Sequence, residues 1–465
     1  MTHLIGQKRS SPLPTDPLGH KLHEQKARRA EAVACCQGRA TIATTEHADG
    51  QAQGTGPISL RLDGQTFAET RQEQPVIVAG TRCLVRVARS VEQVESLRTA
   101  WVSMARDGVQ TDLDYFLWSL EEEPHVVRPH VVAVERDGRI EAILSARVLD
   151  APFPCKLGYS TVYAPKVRAI CVMRHGLLGR ADPETVRVVL DELMSGLEQR
   201  EADAVLFRQL ERDSALHAAA RARSTFATWQ HASQVDLRWR IDLPPTFDEY
   251  VSTLSSSTRK GVRRTRSRLE QKYGDRLSTR IFKEPAVLDG FLADAESVAL
   301  KTYQRRLGVG FQGVPDQRAR TSMLMERGWF TGYILYLDGT PIAFEQGEVY
   351  GGRFHSLSAG YDPSYGQDRV GAHLLMTAIE DLIGDPAVSV FDFGFGDADY
   401  KRRLGHRSVQ EVDAIVYARQ LRPIWVNVAR SVVLQTSSAT KAGLRRVALL
   451  DSSKRWWRRS RSPTS

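Results

Sequence analysis

The chain has no run of about 18 uncharged apolar residues, so nothing in it predicts a membrane-spanning helix. Its start lacks the basic, then apolar, then small-residue order of a secretory signal. Cysteine is scarce: five among 465 residues, at 35, 36, 83, 155 and 171, none at metal-ligand spacing. That argues against a zinc ribbon or a disulfide scaffold and predicts a reducing, cytoplasmic setting without a metal. There is no Gly-x-Ser-x-Gly elbow, no His-Glu-x-x-His and no Cys-x-x-Cys. Three common routes to hydrolytic or redox chemistry are therefore missing.

What is present is enough chain for two or three domains, at ordinary globular composition. The net charge of +9 is concentrated. Residues 258–272 carry seven Lys/Arg against one Glu, and residues 426–465 carry nine against one Asp. The remainder is net acidic, so the basicity does not mark a general nucleic-acid binder.

Residues 1–80 mix Ser, Pro, Thr, Gln, Gly and Ala with little periodicity and read as a mostly disordered leader, with one short helix near Glu24–Cys35. From Cys83 onward, strand and helix periods alternate. Val91, Val94, Leu97, Trp101 and Met104 form a helical stripe, and Asp137-Gly138 joins two strands in a hairpin. An extended run covers Tyr159–Val172, Pro183 opens a helix, and Gln234–Leu243 closes the half as a strand. The second half repeats the order: a helical stripe from Leu288 to Ala299, a hairpin at Asp338-Gly339, a helix from about Gly371 to Ile383, a strand Ser389–Phe393 and a closing strand Glu411–Arg419. Each half reads β-α-α-β-β-β-α-β-α-β.

Ser257-Thr258-Arg259-Lys260-Gly261-Val262-Arg263-Arg264, Leu335–Ala343, Ala359-Gly360-Tyr361-Asp362-Pro363 and Phe391–Lys401 resemble successive motifs of the acyltransferase domain in CelD-like, cellulose-biosynthesis-associated members of the GNAT superfamily. The resemblance covers residues 246–405. With the matching element order of the two halves, the expectation is a mixed α/β (α+β) chain: a leader (1–80), two tandem GNAT-like mixed-sheet domains (81–245 and 246–425), the alternative being two unrelated α+β domains, and a basic amphipathic tail (426–465). The tandem layout also resembles Fem-type transferases, which use aminoacyl-tRNA. The resemblance implies an N-acyltransferase with acetyl-CoA or another acyl-CoA as co-substrate and no metal. The glycine loop Tyr365–Ala372 holds basic and glycine residues, but not at the usual Gln/Arg-x-x-Gly-x-Gly/Ala spacing.

Direct acyl transfer needs a held donor, a polarised carbonyl and a deprotonated amine. Gly366, Gln367, Arg369, Gly371 and Ala372 are the expected pyrophosphate loop, at a helix start that presents free N–H groups. Lys401 is expected at a phosphate or a carboxylated substrate, and Tyr400 as proton donor to the leaving thiolate. Asp392, flanked by Phe391 and Phe393, points either to the cleft or to capping of the next loop. His355 is a candidate base or a structural strand histidine. Glu345, Tyr303 and Asp362 are further polar candidates.

The basic helix 259–272 suits an anionic substrate, tRNA included, or is a solvated face. The tail, with Lys454-Arg455-Trp456-Trp457-Arg458-Arg459, suits an anionic membrane surface or is a free basic tail. The expected partners are a small-molecule or glycan-precursor amine and the inner face of a membrane. The rival readings are a transferase using charged tRNA and a non-catalytic membrane scaffold.

Overall fold

The computed structural model describes residues 74–446 except 79–80, 107, 158–159, 232, 234 and 307–309. Residues 1–73 of the leader, with the helix expected near Glu24–Cys35, and the Trp456-Trp457 segment lie outside the described residues, while residues 74–78, expected as leader, form a strand that pairs with the next one.

The N-terminal half runs β1 (Gln74–Val78), β2 (Thr81–Ala88), α1 (Val91–Glu95), α2 (Arg98–Met104), α3 (Leu113–Glu122), β3 (Val126–Pro129), β4 (Val131–Arg136) and β5 (Arg139–Pro152). It continues with β6 (Cys155–Leu157), β7 (Ser160–Tyr163), β8 (Lys166–Gly179), α4 (Pro183–Glu198), β9 (Ala204–Glu211), α5 (Ala215–Arg223) and β10 (Val235–Asp242). Next come α6 (Phe247–Thr253), α7 (Ser256–Tyr273), β11 (Leu277–Phe282), α8 (Leu288–Ala299), α9 (Tyr303–Arg306), α10 (Pro315–Glu326), β12 (Phe330–Leu337), β13 (Thr340–Tyr350) and β14 (Arg353–Tyr361). The chain then forms α11 (Val370–Ile383), β15 (Val390–Asp392), α12 (Asp399–Leu404), β16 (Arg407–Tyr417) and α13 (Leu421–Arg446). The extended run read as Tyr159–Val172 is two elements, because β7 folds back on β6 in a separate two-stranded ribbon before β8 enters the main sheet.

The local chemistry explains the boundaries. Asp137 and Gly138 have φ of 48° and 78°, and Asp338 and Gly339 have 49° and 75°. Both pairs make the positive-φ turn that matches strand twist. Helix α4 starts at Pro183, whose missing N–H costs nothing there, under an Asp182 cap.

Among the described residues one mixed sheet of 14 strands joins the halves, in the order β1-β2-β4-β5-β8-β9-β16-β10-β15-β14-β13-β12-β11, with β3 on β5. The order β2-β4-β5-β8-β9 in one half is matched by β11-β12-β13-β14-β15 in the other. The pairs β8–β9 and β14–β15 are each parallel. The closing strands are exchanged. Strand β16 pairs with β9 of the N-terminal half, β10 pairs with β15 of the C-terminal half, and the two pair with each other. Core burial follows the exchange. Val412, Ala414 and Val416 of β16 pack with Leu144, Val189 and Phe207, while Ile241 of β10 packs with Tyr333, Phe354 and Phe391. Neither half completes its core without a strand from the other.

Candidate active site

The parallel pair β14–β15 stays in register from Arg353↔Val390 to His355↔Asp392 and then parts. A bulge opens β14 at the same point. The β13–β14 ladder passes from Gly347↔Ser356 to Gln346↔Ser358, leaving Leu357 as the extra residue. Beyond Asp392 the chain needs Gly394. Its φ is +72°, and a Cβ there would sit 2.6 Å from the Ser356 carbonyl oxygen.

Buried ionisable groups gather at this junction. The Nε of Arg238 on β10 donates to Asp392 at 2.7 Å, its Nη1 to Glu411 at 3.4 Å, and its Nη2 to His355 Nε2 at 2.6 Å. Arg240 Nε donates to the same Asp392 oxygen at 3.1 Å, and Arg174 Nη2 to Glu411 at 3.1 Å. The other Asp392 oxygen accepts from the Gly394 N–H at 2.9 Å. Burial opposes ionisation of Asp392, but Arg238 and its neighbours outweigh it and hold the carboxyl well below the usual range. Of its two expected placements, Asp392 takes the cap of the next loop; its side chain is fully buried and anchors the arginines, and it lines neither cavity described below.

His355 is fully engaged. Its Nε2 accepts from Arg238, so Nδ1 carries the proton and lies 3.3 Å from Glu348, which in turn receives Arg320 at 3.0 Å and Gln110 at 3.0 Å. Burial, opposed by Glu348, pushes its pKa below the ordinary histidine value. A neutral histidine with both nitrogens bonded positions its neighbours and has no lone pair left for an incoming amine.

Glu345 on β13 is the buried carboxyl of different character. It accepts from the Ser356 hydroxyl. Burial raises its pKa to about 7, against the pull of Ser356 and Lys401. Lys401 is also buried, and desolvation, then Arg238, lowers its pKa. Its Nζ donates to the Phe395 carbonyl at 3.0 Å and the Gly394 carbonyl at 3.3 Å, and Lys401 does not line the cleft between α7 and α11.

Its neighbour Tyr400 points the other way and lines an open cleft of about 720 Å³. That cleft lies between α7 and α11. Small residues on α7 (Ser257, Gly261, Thr265) face Ala372, His373 and Met376, with Arg266, Arg369 and Arg403 as the cationic lining. Arg369 sits in the left-handed region at φ 58° as the N-terminal boundary of α11, which has no side-chain cap. The first N–H groups of α11 thus receive no bond from an N-cap side chain.

Of the residues expected to hold the donor, Arg369 and Ala372 line the cleft with Tyr400, whereas Gly366, Gln367 and Gly371 do not. Gly371 is explained by packing, since a Cβ would meet the Tyr361 ring at 2.9 Å. Gln367 offers its carbonyl to Arg268, and Asp368 receives Lys272 and the Tyr273 hydroxyl, each at 2.8 Å. The far end of the basic helix thus clamps the glycine loop. Asp362 pairs with Lys301 at 2.8 Å and caps the turn at Ser364. The side chain of Tyr303 lies outside the described residues. Arg174, Arg238, Arg240, Glu348 and Glu411 escaped sequence reasoning. Only the alternation Asp236, Arg238, Arg240 along β10 hinted at them, and alternation alone reads as a solvated face.

Among solved structures, the chain is similar to FemX (12% identity, covering 71% of this chain and 97% of that one, TM-score 0.48). It is also similar to a tandem GNAT protein from the clavulanic acid biosynthesis pathway (12%, 72% and 99%, TM-score 0.43). A third similar structure is L-PGS from Bacillus licheniformis (14%, 75% and 97%, TM-score 0.41). No curated protein matches the chain. Residues 256–402, which hold most of the cleft lining, Glu345, part of the β14–β15 junction and Tyr400, match the family model described as acetyltransferase (GNAT) domain.

Proposed function

We propose that the protein is an acyl-CoA-dependent N-acyltransferase of the CelD-like kind. It transfers an acyl group directly from the thioester to the amine of a small-molecule or glycan-precursor acceptor, in exopolysaccharide or envelope biosynthesis. The observation that carries this reading is Arg369 at the open, uncapped start of α11, facing a cleft that Tyr400 also enters. The cleft's volume suits a nucleotide-sized co-substrate. The donor's phosphates meet Arg369, the first N–H groups of α11, and Arg266 or Arg403. In this reading its thioester end lies toward the parting of β14 and β15, where the bulge at Leu357 interrupts the ladder.

Glu345 is the general base. With a pKa near 7 it holds an ionised fraction at neutral pH and can take the acceptor's proton through the Ser356 hydroxyl. The amine nitrogen then attacks the thioester carbon, a C–N bond forms, the C–S bond breaks, and Tyr400 protonates the departing thiolate. Incubating the protein with acetyl-CoA and a panel of amino sugars, with release of free thiol followed, tests the reading. No thiol release above the rate with heat-denatured protein would remove it.

Aminoacyl-tRNA is the second donor reading. Exposed Lys260, Arg263 and Arg264, beside the cleft on α7, favour it. A gel shift with charged tRNA at physiological salt separates the two. Contact with the inner membrane face is supported by α13. Arg422, Asn427 and Arg430 fasten its first turns to the N-terminal half, while Leu421, Trp425, Val428 and Val432 form an exposed apolar stripe.

A further inference from the structure

The parallel strands of the N-terminal half part as β14 and β15 do, and the gap holds a second cavity of about 290 Å³. Strands β8 and β9 pair from Ala169↔Ala204 to Val172↔Phe207. The β5–β8 ladder then jumps from Val172 to Leu177 across the single residue Ser145. The bulge Met173–Gly176 re-aims two side chains. Arg174 turns to Glu411, and His175, held at φ 52°, lines the cavity. Arg208 of β9, Arg240 of β10 and Arg353 of β14 line it too, with Glu211 as the acidic member.

The charge here does not balance. Three buried guanidiniums, Arg174, Arg238 and Arg240, share two carboxylates, Asp392 and Glu411. Arg208 already has Asp413 at 2.9 Å. Arg240 is only 6% exposed, and its Nε serves Asp392, yet its Nη2 has no hydrogen-bond partner among the described residues. His175 Nε2 is also buried without one. Burial first, then Arg174, Arg240 and Arg353, keeps that imidazole neutral, well below its ordinary pKa. A buried donor with no acceptor is costly, and an excess of buried positive charge more so. A bound anion relieves both.

We propose that this cavity is an oxyanion site, which binds the phosphate or carboxylate group of a small ligand between Arg240 Nη2, His175 and Arg353. The proposal stands apart from the acyl-transfer reading, because the cavity belongs to β8 and β9 rather than to the α7–α11 cleft. The shared chemistry is a compact oxyanion, and the choice between phosphate and carboxylate is left to the probe.

Isothermal titration of the full chain with inorganic phosphate and, separately, acetate tests it. Arg240 also anchors Asp392, so the variants are His175→Gln, which keeps the fold's charges, and Ala215→Trp, which fills the cavity mouth from the start of α5. Arg369→Gly removes the cation at the other cleft. The expected result is one saturable site for at least one probe in wild type and in Arg369→Gly, weakened about tenfold or more in both cavity variants. Unchanged circular dichroism would show those variants folded. Absence of binding by either probe at about 10 mM, or equal binding by wild type and both cavity variants, would overturn the proposal. Loss of binding in Arg369→Gly alone would also overturn it and would assign the anion to the α11 cleft.

Discussion

The guanidinium of Arg238 reaches across 154 residues of sequence to place its Nε 2.7 Å from Asp392, both side chains fully buried. The strand exchange makes this contact possible, because β10 leaves the N-terminal half to lie beside β15. Removing one partner strands the other charge in the interior. Arg238→Met is expected to destabilise the protein by about 3–5 kcal/mol, read as a lower midpoint in urea unfolding. A loss below about 1 kcal/mol would mean that the network does not hold the halves together.

The same pair sets a pH dependence. The Asp392 pKa is depressed in the folded state, so its contribution is full above the ordinary carboxylate range and is lost as pH falls through and below that range. Urea midpoints measured from pH 6 down to pH 3 should fall for wild type and fall less for Asp392→Asn, which starts from a lower value.

Glu345 has the opposite sign. Burial lifts its folded pKa to about 7, so it favours the folded state while protonated and costs stability as pH rises through 7. Its catalytic form appears over the same interval. The rate of acyl transfer should rise with pH through an apparent pKa near 7, and Glu345→Gln should abolish that limb while lowering the rate by about 10²–10⁴-fold. A pH profile unaltered by the substitution would exclude Glu345 as the base.

Arg369 separates strain from function. A non-glycine residue in the left-handed region stores about 1 kcal/mol, which Arg369→Gly should release or leave neutral after the added chain entropy. Thermal unfolding should therefore be unchanged or slightly raised while affinity for the donor drops about tenfold. A destabilised variant with full affinity would make Arg369 a structural residue.

On α13, replacing Leu421, Trp425 and Val428 together by Ser should reduce co-sedimentation with vesicles rich in anionic lipid and leave stability close to wild type, since all three side chains are exposed. Equal partitioning of both proteins would remove the stripe's role.

Local chemistry made much of the fold readable. The two Asp-Gly hairpins, the Pro183 helix start and the Leu288–Ala299 stripe are each fixed by residues within one turn of themselves. The strand exchange was not readable, because Gln234–Leu243 and Glu411–Arg419 look the same as strands whichever half they join. That concealed the arginine network, whose partners come from β8, β10, β15 and β16. In the loop Tyr365–Ala372 the glycine signal was ambiguous for a physical reason: Gly371 answers to the Tyr361 ring, and the cleft is reached by Arg369 and Ala372. Tyr400 and Lys401 are adjacent in sequence, but the step of about 100° between neighbours on α12 sends the first to the cleft and the second inward.

The proposed transfer depends on an acyl-CoA donor bound in the α7–α11 cleft. Isothermal titration of the full chain with acetyl-CoA, beside Arg369→Gly, tests it most directly. One saturable site of roughly micromolar affinity is expected, weakened in the variant. No heat of binding at about 1 mM ligand with folded protein would contradict it.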